Sequence, residues 1–504
     1  MQVDSQEENI MGRRTHNQTE NMTEEAAVPE PRSEQPQTPT PGTIWRVAGN
    51  GQEKASGDGG PALEAGMHPK AIAFGPDRCL YLCDNLYVSE HTRNCSVRKI
   101  DTSGKITRVA GNGEPQLSGM GGPAVDAGIG WPRGIAVDTD GDFYFSTDPD
   151  ETGNVVLKVD GSANHTISVF AGGGQGEGDH PTDLRLEWVE AVAIGPDSHV
   201  YFADRADGRV WKVNKAGTTA TVVAGNGDTS YRWVQGRPTE VPIGKPYGLA
   251  FDTSGTLYIS TGRGFVYKVS PSRDKLTTVF PFTPEYGEPK SGVYGICMGQ
   301  HGVLFASLSP EIVGVLTPGS AEIETIAGKH MQSGYEGDGG LATNALLRTP
   351  RDARLLGGDL FIVDRGNDRI RKIVGVDKPV TLVDPTVAPK KIAPFQSTEV
   401  VLSWQVVCDR NVSDALVSVE LPTGMEFITS DRNGSTSGRV VTIPLGDLAQ
   451  GTSTTVQVTT RTTATAAGVL TVPARVSATD TEKKPVRSWT SFAGLIVATA
   501  ASVY

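Results

Sequence analysis

Four side chains in a short stretch of the chain could together bind zinc. They are Cys79, Cys83, His91 and Cys95, and their spacing, C-x3-C-x7-H-x3-C, is not that of a standard zinc finger. Cys79 and Cys83 belong to one face of a predicted strand and lie about 13 Å apart in an extended chain, too far to share one tetrahedral ion. The sequence leaves three alternatives: a disulfide between Cys83 and Cys95, free thiols, or zinc.

A second candidate metal site is the acidic sequence DTDGD, from Asp138 to Asp142. Its alternating carboxylates have the spacing of a calcium-binding loop. Position twelve of such a loop, where a bidentate Glu is expected, is occupied by Pro149. Similar turn sequences recur along the chain, so we expect a hairpin turn here, and calcium remains the alternative.

These residues belong to a pattern of short strands that repeats along the chain. Each unit has an apolar first strand, a Gly- or Asp-rich turn, an alternating second strand, a third strand and usually a fourth that ends in AGNG or a variant. Six first strands align, at residues 69–73, 132–136, 189–193, 246–250, 293–297 and 350–354. Four-stranded units at a regular period predict the blades of a six-bladed β-propeller.

The sixth unit lacks a fourth strand of its own, and an isolated strand of the fourth type, IWRVAGNG, precedes the first unit at residues 44–51. We therefore expect the N-terminal strand to pair beside residues 370–374 and to close the ring. This pairing would remove an exposed sheet edge.

The repeated phrases resemble the NHL-repeat β-propeller in its bacterial form, over residues 43–374. Three connections carry the accompanying GDGGPA motif or a variant of it, at residues 57–62, 119–124 and 337–342. The resemblance implies a fold rather than a reaction. It also implies that the Asp ending each second strand caps a loop or pairs with an Arg of the next strand, for which Arg209 and Arg369 are candidates. The alternative for these carboxylates is a metal site formed by Asp84, Asp148, Asp204 and Asp364.

A candidate ligand-binding rim follows from the propeller prediction, because the innermost strand of each blade lines the central channel. The residue after each strand-opening position should then lie at the channel mouth. This ring mixes cations, one carboxylate and two tyrosines: Lys70, Arg133, Glu190, Tyr247, Tyr294 and Arg351. Convergent polar groups at a concave mouth predict a binding site, and an ordinary solvated entrance is the alternative.

The rest of the chain predicts a tail, a linker and a second domain. Residues 1–42 are polar, acidic and Pro-rich, which is typical of disorder. A Pro-rich linker is expected at 375–393. Residues 394–504 contain alternating β-segments and resemble the Ig-like β-sandwich repeats of bacterial surface proteins, which imply a spacer. The fold class is therefore all-β, a six-bladed propeller followed by a β-sandwich.

Composition restricts the partners. The formal net charge is −12 and basic clusters are absent, which disfavours nucleic acid. No apolar run is long enough for a transmembrane helix, and no secretion signal follows Met1. These features favour the cytoplasm, whereas the resemblance of the modules favours the cell surface, so the location stays open.

We expect a non-enzymatic recognition or scaffold protein that binds a protein or glycan through the loop-rich face of the propeller, without a required cofactor. The alternative is a metal-assisted lyase or hydrolase with calcium or zinc in the channel, as in enzymes that resemble this fold. Against it, no three His residues occupy equivalent positions in the units, and no common catalytic motif is present.

Overall fold

A computed structural model describes residues 39, 41–89, 92–149, 153–176, 178–280, 292–299, 304–308, 310–316, 323–376, 380–389, 391–393, 397–408, 411–463, 468–479, 485–486 and 490–497. The chain is all-β, and its regular helices in the described part are single 3-10 turns. The expected disordered tail, 1–42, lies outside the described residues except for 39, 41 and 42. In the described part of the chain no helix has the length and apolar character needed to cross a bilayer.

Residues 44–373 form six antiparallel sheets, numbered here in the order of their first strands. The N-terminal strand is β1, Ile44–Ala48. Sheet 1 contains β2 Pro69–Phe74, β3 Leu80–Ser89, β4 Thr92–Ile100 and β5 Ile106–Ala110. Sheet 2 contains β6 Trp131–Val137, β7 Phe143–Asp148, β8 Val155–Val159 and β9 Ile167–Gly172. Sheet 3 contains β10 Val189–Ile194, β11 Val200–Asp204, β12 Arg209–Val213 and β13 Ala220–Ala224.

The other three sheets follow in the same way. A short strand, β14 Gln235–Gly236, precedes β15 Pro246–Phe251, β16 Leu257–Thr261, β17 Val266–Val269 and β18 Leu276–Phe280, and these five strands form sheet 4. Sheet 5 contains β19 Val293–Met298, β20 Leu304–Leu308, β21 Ile312–Leu316 and β22 Glu324–Gly328. Sheet 6 contains β23 Pro350–Leu356, β24 Asp359–Asp364, β25 Arg369–Ile373 and β1. Single 3-10 turns lie at Ala62–Glu64, Ala124–Asp126, Pro181–Asp183, Ala342–Asn344 and Arg365–Asn367.

The first strands of the six sheets contact one another in a closed cycle, as the innermost strands of a propeller do. Glycine permits this close approach at several positions. A Cβ added at Gly134 would lie 2.7 Å from the carbonyl oxygen of Glu190 on the neighbouring first strand. A Cβ added at Gly248 would lie 2.5 Å from the carbonyl oxygen of Tyr294. The apolar core lies between neighbouring sheets, and one cluster joins Tyr144 of sheet 2 to Phe202 of sheet 3.

The expected closure of the ring is confirmed by the pairing of β1 with β25. The two strands are antiparallel, with Ile44 opposite Ile373 and Arg46 opposite Arg371. Ile44 is fully buried in a cluster with residues of sheets 5 and 6. The N-terminal strand therefore supplies the outermost strand of the last sheet.

The long connections between sheets run along the outermost strand of the sheet that follows them. In sheet 1, Gly59 N–H donates to Ile106 O and Ile106 N–H donates to Gly60 O. In sheet 6, Gly339 N–H donates to Ile44 O and Ile44 N–H donates to Gly340 O. The GDGGPA motif thus covers an edge strand and satisfies its backbone groups.

The remaining strands form two sheets with one shared core, a β-sandwich. One sheet contains β26 Val380–Ala388, β28 Ser397–Cys408, β30 Met425–Ser430 and β33 Ser453–Thr463. The other contains β27 Lys391–Ile392, β29 Val412–Glu420, β31 Ser435–Ser437, β32 Val440–Leu448, β34 Gly468–Thr479, β35 Pro485–Val486 and β36 Thr490–Val497. Trp404 is completely buried between them.

The segment expected to be a linker, 375–393, differs from the prediction. Its central part is β26, which pairs antiparallel with β28 from Val380↔Cys408 to Ala388↔Val401. Leu382 in this strand is buried in the sandwich core. The prolines suggested a linker, but Pro385 lies where the strand register shifts, a position that a sheet tolerates.

Candidate functional site

All six residues of the predicted rim line one cavity at the end of the channel. Each lies at the start of the first strand of its sheet, as the second residue of that strand or, for Arg133, the third. All six are half-buried: Lys70, Arg133, Glu190, Tyr247, Tyr294 and Arg351. The free volume of this cavity is about 30 Å³, which is on the order of one or two water molecules. The mouth is therefore a narrow polar constriction.

An ion pair spans the mouth between sheets that are not neighbours. Lys70 Nζ lies 3.0 Å from Glu190 Oε1, and the side chains are 13% and 8% exposed. Trp188 Nε1–H donates to Glu190 Oε2 at 2.7 Å. Burial acts to raise the pKa of Glu190, but the charges of Lys70 and Arg133 outweigh it and lower this pKa to about 2.

Lys70 lies among other cations. Burial, followed by the repulsion of Arg365, Arg351 and Arg133, lowers its pKa to about 7, although Glu190 acts in the opposite direction. The ammonium group therefore loses its proton close to neutral pH. An additional anion nearby would favour its charged form.

Guanidinium groups cover the aromatic rings at the mouth. Arg133 Cζ lies 3.9 Å from the Trp188 ring centroid, and Arg351 Cζ lies 4.3 Å from that of Tyr294. Arg205 Cζ lies 4.8 Å from the centroid of Tyr247. These cation–π contacts hold the arginine side chains in place.

The two tyrosines of the rim contact each other, with ring centroids 5.2 Å apart. Burial, together with the nearby Glu190 carboxylate, raises the pKa of Tyr247 to about 12. This phenol is thus protonated at neutral pH and can donate a hydrogen bond.

Sequence reasoning missed Arg205 and Arg365 at the mouth. Each follows directly the Asp that ends a second strand, Asp204 in sheet 3 and Asp364 in sheet 6. Burial, and then the charge of the nearby Arg351, lowers the pKa of Arg365. The dipeptide Asp-Arg in two of the six units was the available signal.

The carboxylates that end the second strands organise the backbone before the first strand of each sheet. Asp84 accepts a hydrogen bond from His68 N–H at 2.8 Å, and Asp364 accepts one from Arg348 N–H at 2.7 Å. Asp204 accepts from both Glu187 N–H and Trp188 N–H. Asp148 instead contacts Arg133 Nη2 at 3.0 Å. In the part of the chain that the structure describes, no group of three or more His, Cys, Asp or Glu residues is arranged to hold a metal.

The predicted arginine partners of these carboxylates were wrong. Arg209 contacts Asp207, and Arg369 lies 3.7 Å from the ring centroid of Tyr335. Two of the carboxylates instead pair with an arginine within the third strand: Arg98 Nη1 lies 3.1 Å from Asp84, and Arg371 Nη1 lies 3.5 Å from Asp364. Both carboxylates are fully buried, and only a buried cation can reach them.

The acidic turn that resembled a calcium loop is a hairpin turn, as expected. Asp138 Oδ1 accepts hydrogen bonds from Asp140 N–H at 2.9 Å and Asp142 N–H at 3.0 Å. Lys215 Nζ, from the next sheet, lies 3.3 Å from Asp138 Oδ2 and also contacts Asp140. An ammonium group thus occupies the position that a calcium ion would need.

The structure does not form the candidate disulfide between Cys83 and Cys95. In the β3–β4 pairing Cys83 lies opposite Val97 and Cys95 lies opposite Asn85, so the two cysteines are diagonal neighbours. Diagonal positions are roughly 7–8 Å apart, beyond the reach of a disulfide. His91, the fourth member of the zinc candidate, lies outside the described residues.

No protein-family model matches the chain. It is 25% identical to human Teneurin-1 over 336 residues, or 61% of this chain, and 28% identical to mouse Teneurin-3 over 326 residues, or 59% of it. The chain spans about a tenth of the length of these relatives.

Two solved structures illustrate the similarity of the fold. A protein of unknown function from Bacteroides thetaiotaomicron is 17% identical with a TM-score of 0.47, covering 66% of this chain and 75% of that one. A gluconolactonase from Xanthomonas campestris is 14% identical with a TM-score of 0.41, covering 65% of this chain and 88% of that one.

Proposed function

We propose that this chain is a non-enzymatic recognition protein whose propeller binds a protein partner at the channel mouth. One observation carries the proposal: side chains from all six sheets converge on one small mouth, and its cations outnumber its carboxylates. An assembled ring of unlike residues has the composition of a binding site.

The state of the aromatic rings favours a protein over a glycan. Sugars commonly bind by stacking on an open aromatic face. Here guanidinium groups already cover Trp188, Tyr247 and Tyr294. The mouth carries positive charges in fixed positions, and such charges favour binding of an acidic peptide segment.

The finer architecture is part of the same proposal. We interpret the six sheets as six NHL-type blades over residues 43–374, and the sandwich that follows as an Ig-like module acting as a spacer. The sandwich has a continuous apolar core, as a spacer needs. Its described surface carries exposed charges such as Arg439 and Arg461.

The test uses the full chain against two arrays, one of peptides with graded acidic content and one of neutral, uronic and sulfated glycans. We expect acidic peptides to bind, and binding to be lost in the double variant R133Q/R351Q. The control double variant R439Q/R461Q also removes two cations, but from the exposed surface of the sandwich. It should bind as the wild type does.

The other outcomes count against the proposal. Binding to glycans alone would overturn the assignment of the partner class. Equal binding by the two double variants would overturn the mouth as the site, and no binding to either array would overturn the recognition function.

The alternative of a metal-assisted lyase or hydrolase requires ligands that converge in the channel. The described histidines do not converge: His68 contacts Asp368, and His165, His180 and His199 hydrogen-bond within exposed turns. No observation on the described residues favours this alternative over recognition.

A further inference from the structure

We infer that the channel mouth is a binding site for a single oxyanion, such as the carboxylate of an acidic side chain or of a peptide C-terminus. Arg133, Arg205, Arg351 and Arg365 form it, together with Lys70. The oxyanion is the ligand group that this mouth would bind, and its origin in a protein partner rests on the proposed function.

The first observation is a set of buried donors that lack an acceptor. The Nε atoms of Arg133, Arg205, Arg351 and Arg365 are all buried and have no hydrogen-bond acceptor among the described residues. A buried N–H group without an acceptor is costly, and a charged one more so. Four such groups around one mouth indicate that the donors are kept for an acceptor from outside the chain.

The second observation is the local charge. Apart from Arg354 and Asp352, which pair with each other, the described groups around the mouth are five cations, namely the four arginines and Lys70, against the carboxylates of Glu190, Asp148 and Asp368. Each of these carboxylates already has a partner: Lys70, Arg133 and His68, respectively. The excess is positive in a chain whose overall charge is −12. Close cations in a partly buried site repel one another, and an anion between them relieves that repulsion.

The third observation is that the arginine side chains are already held in place and that the cavity is small. The guanidinium groups are held against Trp188, Tyr247 and Tyr294, so little side-chain freedom remains to be lost on binding. The free volume of about 30 Å³ admits a compact group rather than a sugar ring. A carboxylate of this size can accept hydrogen bonds from two arginines at once.

Beyond the mouth, the described residues of the channel offer the anion no competing site. Arg354, which also lines the cavity, is bound to Asp352 Oδ1 at 2.6 Å and to Ile296 O at 3.0 Å. The opposite end of the channel is lined mainly by apolar residues, including Phe74, Leu249 and Phe251. An anion entering from the mouth therefore stops at the rim arginines.

The experiment is calorimetric titration of the full chain with acetate, sulfate and inorganic phosphate at constant ionic strength in chloride. We expect saturable binding of at least one of these oxyanions to the wild type. Binding should weaken at least tenfold in R351Q and in R365Q, since each removes a charged donor. It should tighten at least threefold in E190Q, which removes the competing carboxylate, and should be unchanged in R439Q.

R351K serves as the second variant if the glutamine substitution impairs folding. It keeps the charge and removes the buried Nε donor, so we expect an affinity between those of the wild type and R351Q. Absence of saturable binding, or equal affinity in wild type, R351K and E190Q, would overturn the inference.

Titrating an acidic peptide from the array into the same variants distinguishes a failure of the oxyanion site from a failure of the recognition function. If the peptide binds at the mouth while acetate, sulfate and phosphate do not, the oxyanion site is wrong and the recognition function stands. If the small anions bind but no peptide does, the recognition function is wrong. Titration of peptides with amidated and free C-termini distinguishes a side-chain carboxylate from a terminal one.

Discussion

Arg371 lies at the centre of a buried polar network beside the strand that closes the propeller. Its side chain is fully buried, and its guanidinium donates to Asp338 Oδ1 at 3.0 Å, to Leu346 O at 2.7 Å and to Glu336 O at 2.9 Å. It also lies 3.5 Å from the buried carboxylate of Asp364. Replacing it by leucine would leave that carboxylate without its cation.

The expected cost of R371L is about 3–5 kcal/mol of unfolding free energy at pH 8, because one partner of a buried ion pair is removed. Burial, opposed by the Arg348 N–H, Asn367 and Arg371, raises the pKa of Asp364 to about 6 in the folded protein. Without Arg371 this pKa rises further.

The pH dependence follows from the direction of that shift. Above the pKa of unfolded Asp and below that of folded Asp364, the folded state binds more protons than the unfolded state, so unfolding free energy falls as pH rises. In R371L the fall continues to higher pH. The difference between the wild type and R371L should thus be larger at pH 8 than at pH 5, where Asp364 is mostly neutral in both.

Sheet 2 supplies a compensating variant. In the repeat, Leu157 of sheet 2 is equivalent to Arg371, and Met120 is equivalent to Asp338. The side chains of Leu157 and Met120 both pack in one apolar cluster. The double variant D338M/R371L copies this pair, and we expect it to recover at least 1 kcal/mol relative to R371L.

Guanidinium-induced unfolding, followed by tryptophan fluorescence at pH 5 and pH 8, measures these differences. R439L, at an exposed arginine of the sandwich, is the control and should change unfolding by less than about 0.5 kcal/mol. A cost below about 1 kcal/mol for R371L at pH 8, or an equal cost at both pH values, would refute the role given to the buried pair.

Three further predictions concern the ring. Gly134→Ala should lower the melting temperature by several degrees, because its Cβ would meet the neighbouring first strand, whereas Gly176→Ala, whose Cβ meets nothing within 4 Å, should not. Ile44→Ala should cost about 2–5 kcal/mol in denaturant unfolding, since this fully buried residue belongs to the closing strand; a cost like that of the exposed Val440→Ala would contradict this. EDTA should leave the melting temperature of the full chain within about one degree, because Lys215 holds the acidic turn; a drop of several degrees would restore calcium as a candidate.

The positions of the rim residues could be predicted from the sequence because the repeat fixes them. A residue such as Lys70 or Arg351 follows an easily aligned strand opening, and the propeller geometry brings equivalent positions together. The closing strand was predictable for a similar reason, since Ile44 begins a strand that the repeat count leaves over.

Other features depended on contacts that no repeat position specifies. Arg205 and Arg365 reach the mouth from the ends of second strands, and only two units carry them. The GDGGPA connections pair with an edge strand through Gly60 and Gly340, and the alignment of the strands does not specify that course. Cys83 and Cys95 are near in sequence, but strand register keeps them diagonal.

One asymmetry of the mouth accompanies a difference in the interior of sheet 2. In sheets 1 and 6 the second-strand carboxylate is fully buried and bound to a third-strand arginine, as in Asp84 with Arg98. Sheet 2 has Leu157 at that third-strand position, so no buried cation holds its carboxylate.

The carboxylate of sheet 2 is Asp148, which is 34% exposed and contacts Arg133 at the mouth. The exchange of a buried ion pair for an apolar pair is close to neutral for stability, since the cost of desolvating two charges offsets their attraction. It is not neutral for the site, because Asp148 fixes Arg133 over Trp188. We therefore expect D148N to leave unfolding nearly unchanged while it alters oxyanion affinity, and the opposite pattern would contradict this role of Asp148 at the rim.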